Sequence, residues 1–489
     1  MAMVLALDQG TSSTRAMVFD SSGRILSEAR EAVPTHHPRP GWVEQDAEML
    51  WSSSLLVLRR ALQAIAPQKP LALGLANQRE TTLLWERATA RPVGPAIVWQ
   101  DQRGAPLCER LRQQGAESLV RQRTGLLLDP YFSATKLAWL LENIPGARER
   151  AAKGELAFGT VDSYLLFCLS GGRLHATDST NACRTALFNI HTMQWDRDML
   201  RLFAIPEALL PEVRPSTGPW GEIEPDLLGW PLPIGAIVGD QQAALAGHGC
   251  FAPGMAKNTY GTGAFLVMNT GAQPRNHPAL LTTIGYHVHT EVAYALEGSI
   301  FVAGAAMEWL VDLGILRQLD DAQRLAASVA DSAGVVMVPA LSGLACPHWD
   351  PAARGVLLGL SLHTRAAHVV RAALEGIAWR TAEVVQAMTQ GGGLRLAALR
   401  VDGGACGNTE LLQIQADVLG VPVVQPAILE TTALGAALLA GVGLGLFDLD
   451  KAGAIIQEKR RVMPQRDESW RQDGWRVWAA AVACCKTLG

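Results

Sequence analysis

The sequence predicts an α/β protein built as two lobes of comparable size facing each other across a cleft. Three observations carry this. Strand-like runs alternate with amphipathic helical stretches, glycine turns rich in hydroxyl residues recur in both halves, and several apolar strands end in acid, amide or arginine groups. A chain of 489 residues is too long for one core, and its length suggests about two to four domains. Similar turns near residues 8 and 262 lie ~250 residues apart, about one large domain each. Residues 1–245 and 246–489 are therefore expected to form the lobes. No sequence identity between the halves is evident, so this duplication rests on pattern.

The first strand-like run ends at Leu5-Ala-Leu-Asp8, turns through Gly10 into Thr11, Ser12, Ser13 and Thr14, and reaches Arg15. Apolar alternation resumes at Ala16–Phe19, so the layout is a β-hairpin. Its tip offers backbone N–H groups, hydroxyls and a cation, the donors that a phosphate needs, and Asp8 would hold an accompanying Mg²⁺ directly or through water. Taken alone, the stretch reads rather as an ordinary Ser/Thr-rich hairpin turn, and the later turns tip it towards phosphate. Glu48–Ile65 and Cys108–Arg123 read as amphipathic helices, and Leu71–Ala76 and Ala96–Val98 as strands. Pro211–Gly235 reads as an irregular connector before the strand Gly235–Gly239, and Asp240-Gln-Gln-Ala-Ala-Leu-Ala as a helix. A second hydroxyl-bearing turn, Gly261-Thr262-Gly263, follows Lys257-Asn-Thr-Tyr, and a third strand, Leu399–Asp402, opens through Gly403-Gly404 towards a helix. Thr431–Phe447 is uncharged, but shorter than the ~20 residues of a membrane span, and suits a buried helix.

Composition excludes several classes. The net charge of −4 gives no case for nucleic acid or an anionic membrane. The eight cysteines include no C-x-x-C, which fits a reducing cytosol rather than a disulfide framework or a zinc site. Asp8 interrupts the first apolar run with no basic segment before it, so no leader peptide is expected. No Gly-Lys dipeptide occurs, which excludes a P-loop, and Gly261-Thr-Gly263 lacks the third glycine of a dinucleotide fingerprint. His287/His289 and His36-His37 lack carboxylate or thiol partners at metal spacing.

Polar residues cluster at strand ends. Asn77-Gln78-Arg79-Glu80 follows Leu71–Ala76, Trp99-Gln100-Asp101 follows Ala96–Val98, and Asp240-Gln241 follows Gly235–Val238. Taken alone, Asp240 reads rather as a helix cap. Together with the glycine turns, these groups favour a site for a small polyhydroxy molecule, satisfied by carboxylate, guanidinium and amide groups against an aromatic wall.

The stretches Leu5–Arg15, Asn77–Glu86, Lys257–Gly263 and Pro347–Gly355, with Tyr131-Phe-Ser-Ala-Thr-Lys-Leu-Ala-Trp-Leu, resemble the glycerol-phosphorylating members of the FGGY carbohydrate-kinase family. The resemblance runs from residue 3 to about residue 480. It implies two ribonuclease-H-like lobes, as in actin and hexokinase, closing on ATP-Mg²⁺ and glycerol, with transfer to sn-glycerol 3-phosphate and Asp240 as general base. The N-terminal lobe would hold glycerol and the first phosphate loop, and the C-terminal lobe the nucleotide. Position by position, the resemblance implies that Arg79, Glu80, Tyr131, Asp240 and Gln241 contact glycerol, with Trp99 and Phe265 lining the pocket. Thr11, Ser12, Ser13 and Arg15 match the first phosphate loop, and Thr262 the second. Gly304, Glu308, Gly404 and Asn408 match nucleotide contacts, and Asp8 the Mg²⁺ carboxylate. A cytoplasmic homo-oligomer, dimer or tetramer, is implied too. Glu308 departs from the family's Gln, and Cys406-Gly407 replaces bulkier residues. The stretch from Pro225 to Pro233 is shorter than the family loop that binds fructose 1,6-bisphosphate, which puts that inhibition in doubt. The alternatives are an FGGY kinase for a tetritol or pentulose, such as erythritol or xylulose, and a non-catalytic ATP-binding protein on the same fold.

Overall fold

The computed structural model describes residues 2–390 and 393–487. Its first sheet contains β1 (Met3–Gln9), β2 (Ser13–Asp20), β3 (Ile25–Ala32), β4 (Ala72–Asn77), β5 (Glu222–Ile223) and β6 (Leu232–Gly239), in the order β5-β6-β4-β1-β2-β3. The meander β1–β3 is antiparallel, while β4 and β6 run parallel to β1. The second sheet contains β7 (Ala256–Tyr260), β8 (Ala264–Gly271), β9 (Leu281–Val288), β10 (Glu291–Ile300), β11 (Leu399–Asp402), β12 (Val423–Pro426) and β13 (Glu458–Val462), in the order β9-β10-β8-β7-β11-β12-β13. There β7, β8 and β10 are antiparallel neighbours, with β9 inserted between β8 and β10 in sequence and placed at the edge beyond β10, and β11 and β12 form the parallel extension. The two sheets share a five-strand core, three antiparallel strands extended by two parallel ones, and the hairpin turns β1–β2 and β7–β8 occupy the same place in each.

The central strands are apolar on both faces because both are covered. Leu5, Leu7, Ala16 and Val18 face α1 (Ala47–Ile65), whose buried stripe includes Leu50, Val57, Leu58 and Ala61. Asp46 caps that helix, accepting the Glu48 amide at 2.8 Å. Val4, Ala6, Ala72, Ala76 and Val238 face the other way, towards α2 (Asp240–Gly247) and a much later helix, named α6 below.

The second half of the chain adds α3 (Gly304–Asp312), α4 (Ala366–Thr389), α5 (Thr409–Leu419), α6 (Thr431–Gly443) and α7 (Glu468–Thr487). The uncharged 431–447 stretch is thus a buried helix over residues 431–443, and no helix among the described residues is long and apolar enough to cross a membrane. It packs on the sheet of the first half: its Ala436, Ala437 and Ala440 join the cluster of Val4, Ala6 and Val238. Backbones touch where α6 crosses α2. A Cβ on Gly435 would lie 1.8 Å from the Ala243 carbonyl oxygen, and one on Gly247 1.9 Å from that of Thr431.

Three sequence expectations need adjustment. Cys108–Arg123 is two helices, Ala105–Gln113 and Glu117–Thr124, because Gly115 takes φ +79° and reverses the chain. The strand read as starting at Gly235 begins at Leu232, paired through Ile223 in the supposed irregular connector. Asp240 is not a helix cap: it is the first residue of α2, with Gly239 in the capping place.

An alanine inside a helix normally stabilises relative to glycine by up to ~1 kcal/mol. At Gly435 the sign should reverse, because the methyl group would meet the backbone of α2. Gly435→Ala is expected to lower stability by roughly 1–3 kcal/mol, read as a lower urea midpoint at unchanged slope.

Candidate functional site

The site is built on the two hairpin tips, linked by Trp99, which bonds Thr11 and lies against Phe265. In the first, the Gly10 amide donates to the Ser13 carbonyl at 3.0 Å, and Gln45 Nε2 holds the Thr11 carbonyl at 2.6 Å. Ser12 is exposed at the tip, whereas Ser13 is buried in β2. Asp8 and Arg15 are cross-strand partners in the hairpin, and Arg15 pairs with Glu430, just before α6. In the second tip the Thr262 carbonyl accepts the Ala303 and Ala305 amides at 2.8 and 3.1 Å, and the Gly304 amide donates to the Gly261 carbonyl at 3.0 Å. The turn is thereby fixed to the start of α3, which carries Glu308 on its exposed face. β11 ends at Asp402; Gly403 takes φ +87°, and a Cβ there would lie 2.2 Å from the Tyr260 carbonyl oxygen. Gly404 faces open space, and Asn408 caps α5, accepting the Glu410 and Leu411 amides at 3.1 and 3.2 Å.

A buried charge cluster lies where the strand ends converge. Arg79 follows β4 and binds Glu297 of β10 through two nitrogens, Nη1–Oε2 at 2.6 Å and Nη2–Oε1 at 3.0 Å. Its Nε lies 3.2 Å from Asp240 Oδ1, and Nη1 also donates to Gln242 Oε1 at 3.2 Å. Arg184 Nε donates to Glu80 Oε1 at 2.5 Å and Nη2 to Glu297 Oε1 at 3.2 Å. Glu80 holds a left-handed φ of +61°, a strained backbone for a non-glycine residue of the kind that concentrates at functional sites. Lys257 Nζ donates to Gln241 Oε1, to Thr259 Oγ1 at 2.9 Å and to the Phe265 carbonyl at 3.3 Å. With its oxygen bound to Lys257, the Gln241 amide keeps its NH₂ free as a donor.

Trp99, Tyr131 and Phe265 form one aromatic wall drawn from both halves. Trp99 lies 5.7 Å from Tyr131 and 6.3 Å from Phe265, centroid to centroid, in edge-on geometry. Its indole N–H donates to Thr11 Oγ1 at 2.9 Å, tying the wall to the first turn. The Tyr131 loop is held by buried Lys136, whose Nζ donates to the Pro130, Tyr131 and Phe132 carbonyls. Burial pulls that amine down to about 8.

The charges are strongly perturbed. Burial pushes Glu297 up, but the Arg184 and Arg79 guanidiniums outweigh it and hold the carboxyl at about 2. Burial draws the Lys257 amine down to about 8 against the pull of Asp402 and Asp240. Asp8 is raised to about 7 by burial and by the negative charge of Asp240, with Arg15 opposing. A buried carboxyl raised by a neighbouring carboxylate is a fitting place for a divalent cation. Among the described residues no group of three or more His, Cys, Asp or Glu is placed to hold a metal unaided. Mg²⁺ does not require such a cage, since it is commonly held by one or two carboxylates plus substrate phosphates.

The sequence-derived residues Arg79, Glu80, Trp99, Tyr131, Asp240, Gln241 and Phe265 thus gather in one place. Sequence reasoning missed Arg184, Gln242, Lys257 and Glu297. A signal was present for Glu297, a lone carboxylate inside the apolar run Tyr294-Ala-Leu-Glu-Gly.

Residues 3–247 match the N-terminal domain of the FGGY family of carbohydrate kinases, and residues 256–444 its C-terminal domain. The chain is 53% identical over 489 residues to a protein of Thermus brockianus named glycerol kinase, with 99% of each chain covered. It is 54% identical to one of the same name in Aromatoleum aromaticum, covering 99% of this chain and 98% of that protein. Its fold superposes on the crystal structure of Plasmodium falciparum glycerol kinase with ADP at a TM-score of 0.95 and 32% identity, covering 99% and 98% of the two chains.

The raised carboxyl of Asp8 has a consequence for stability. Its folded-state value near 7 lies above the ordinary 3.8, so the folded chain keeps a proton there that the unfolded chain releases. Stability therefore falls as pH rises through that window, and the charged carboxylate is a cost above it. Asp8→Asn is expected to raise the nucleotide-free Tm at pH 8 by roughly 2 °C or more, a gain that shrinks below pH 5, as scanning calorimetry would read.

Proposed function

The chain belongs to the FGGY family of carbohydrate kinases, and on that premise we propose that it transfers the γ-phosphoryl group of ATP to a terminal hydroxyl of glycerol, giving sn-glycerol 3-phosphate and ADP. The observation that carries this is the cluster of Arg79, Glu80 and Asp240 against Trp99, Tyr131 and Phe265, between two phosphate-type turns. Its relatives at 51–54% identity along nearly the whole chain bear the name glycerol kinase.

Glu80 Oε2 and Asp240 Oδ2 have no partner among the described residues and would accept hydrogen bonds from hydroxyls, while the Gln241 NH₂ would donate. The hydroxyl proton passes to Asp240 as the substrate oxygen bonds to the γ-phosphorus and the bond to the β,γ-bridging oxygen breaks, leaving ADP. Arg79 Nε and the Gln241 backbone N–H, 3.2 and 2.7 Å from Asp240 Oδ1, hold the base in one orientation. The Thr11–Ser13 and Thr262 turns supply hydroxyl and N–H donors for the phosphates, and residues 304, 308, 404 and 408 border the nucleotide. Asp8 would hold Mg²⁺, which when bound neutralises charge on the β- and γ-phosphates. Most of the rate in such transfers comes from positioning and charge neutralisation. The same membership underlies our reading of a cytoplasmic homo-oligomer, tested by light scattering against the 52.4 kDa chain mass.

Two measurements test the reading. With glycerol and ATP-Mg²⁺, Asp240→Asn should lower kcat by ~10²-fold or more while nucleotide affinity changes little; unchanged turnover would remove Asp240 from the chemistry. Across a panel of polyols and ketoses, glycerol should have the highest kcat/KM, and propanediols lacking one matched hydroxyl should lose about tenfold or more. Preference for xylulose or erythritol would contradict glycerol as the substrate.

A further inference from the structure

Glu297 takes no part in the phosphoryl transfer set out above, yet the site's positive charges converge on it. Its side chain is fully buried and belongs to the second sheet, whereas Arg79 and Arg184, which it binds, belong to the first half. We infer that Glu297 is the positioning residue of the polyol pocket, setting which N–H groups of the two arginines face substrate and which are spent internally. This rests on the reading of the pocket as the glycerol site.

The hydrogen-bond inventory supports it. Arg79 has five N–H groups. Both on Nη1 are spent on Glu297 Oε2 and Gln242 Oε1, and one on Nη2 goes to Glu297 Oε1. That leaves Nε for Asp240 and one N–H of Nη2 uncommitted. Arg184 spends Nη2 on Glu297 and Nε on Glu80 Oε1, so only Oε2 of Glu80 is left to accept from a hydroxyl. The pocket is therefore left with a few acceptors and donors, a set suited to neighbouring hydroxyls of a short polyol. Without the Glu297 carboxylate, two buried guanidiniums would repel each other, Arg79 would be free to turn its fork onto Asp240, and Arg184 its second nitrogen onto Glu80. Both acceptors that glycerol needs would then be occupied. A carboxylate that merely tied the halves together would not need to be shared between the two arginines flanking the substrate groups.

The test compares wild type with Glu297→Gln and Glu297→Asp, measuring glycerol binding by calorimetry, KM for glycerol and for ATP, kcat and Tm. Expected is a rise in glycerol KM and Kd of about tenfold or more in Glu297→Gln, with ATP KM within about twofold of wild type. Glu297→Asp, which keeps the charge, should recover part of the glycerol affinity. A folded Glu297→Gln with wild-type glycerol KM overturns the inference, as does a variant whose only defects are a lower Tm and fewer active molecules at unchanged KM. If Glu297→Gln does not fold, Glu297→Asp decides alone: its one-methylene retraction should raise glycerol KM measurably, and an unchanged value overturns the inference. Failure of the substrate reading is separate, because wild type would then neither bind nor phosphorylate glycerol.

Discussion

The site depends on one guanidinium. Arg79 leaves the end of β4 buried, and its nitrogens reach Glu297 in the opposite sheet and Asp240 and Gln242 at the start of α2. Burying a charge is costly unless it is paired and its hydrogen bonds are satisfied, and here the main partner, Glu297, lies 218 residues further along the chain. A folded first lobe without the second would leave Arg79 without Glu297, with Asp240 as its one remaining ion-pair partner among the described residues. The polar pocket and the association of the lobes are for that reason one energetic problem.

The surrounding groups are held before any ligand arrives. Lys257 fixes the Gln241 amide, Lys136 fixes the Tyr131 loop through three carbonyls, and Trp99 links the aromatic wall to the first hairpin turn. Fixed donors and acceptors need little reorganisation when a reaction develops charge, which is where enzymes of this chemistry gain most. The cost shows in the raised Asp8 carboxyl and the left-handed Glu80 backbone.

Much of this was legible in the sequence, and the exceptions have physical reasons. The hairpins of Asp8 and Thr262 were readable because strand alternation and glycine turns are local signals, and Arg79, Glu80 and Asp240 stood out as charges at apolar strand ends. Glu297 and Arg184 were missed because their meaning is pairwise: a buried charge in a strand says only that a partner exists, and the partner is set by tertiary structure. The break at Gly115 was hidden by an amphipathic pattern that continues across it. The 431–443 helix was recognisable as buried from its lack of charge, but nothing local reveals which sheet it covers.

That last helix fixes the order in which the molecule is completed. One face of the first sheet, with Val4, Ala6, Ala72 and Val238, finds its cover in α6. During synthesis β6 emerges roughly 190 residues before α6, a delay of roughly 10–40 s at ordinary elongation rates. For that interval the nascent chain carries a nearly finished α/β layer with one apolar side open. The lobe begun first at the ribosome thus stays open until α6 is made, and the growing chain in this window is a natural client for a chaperone.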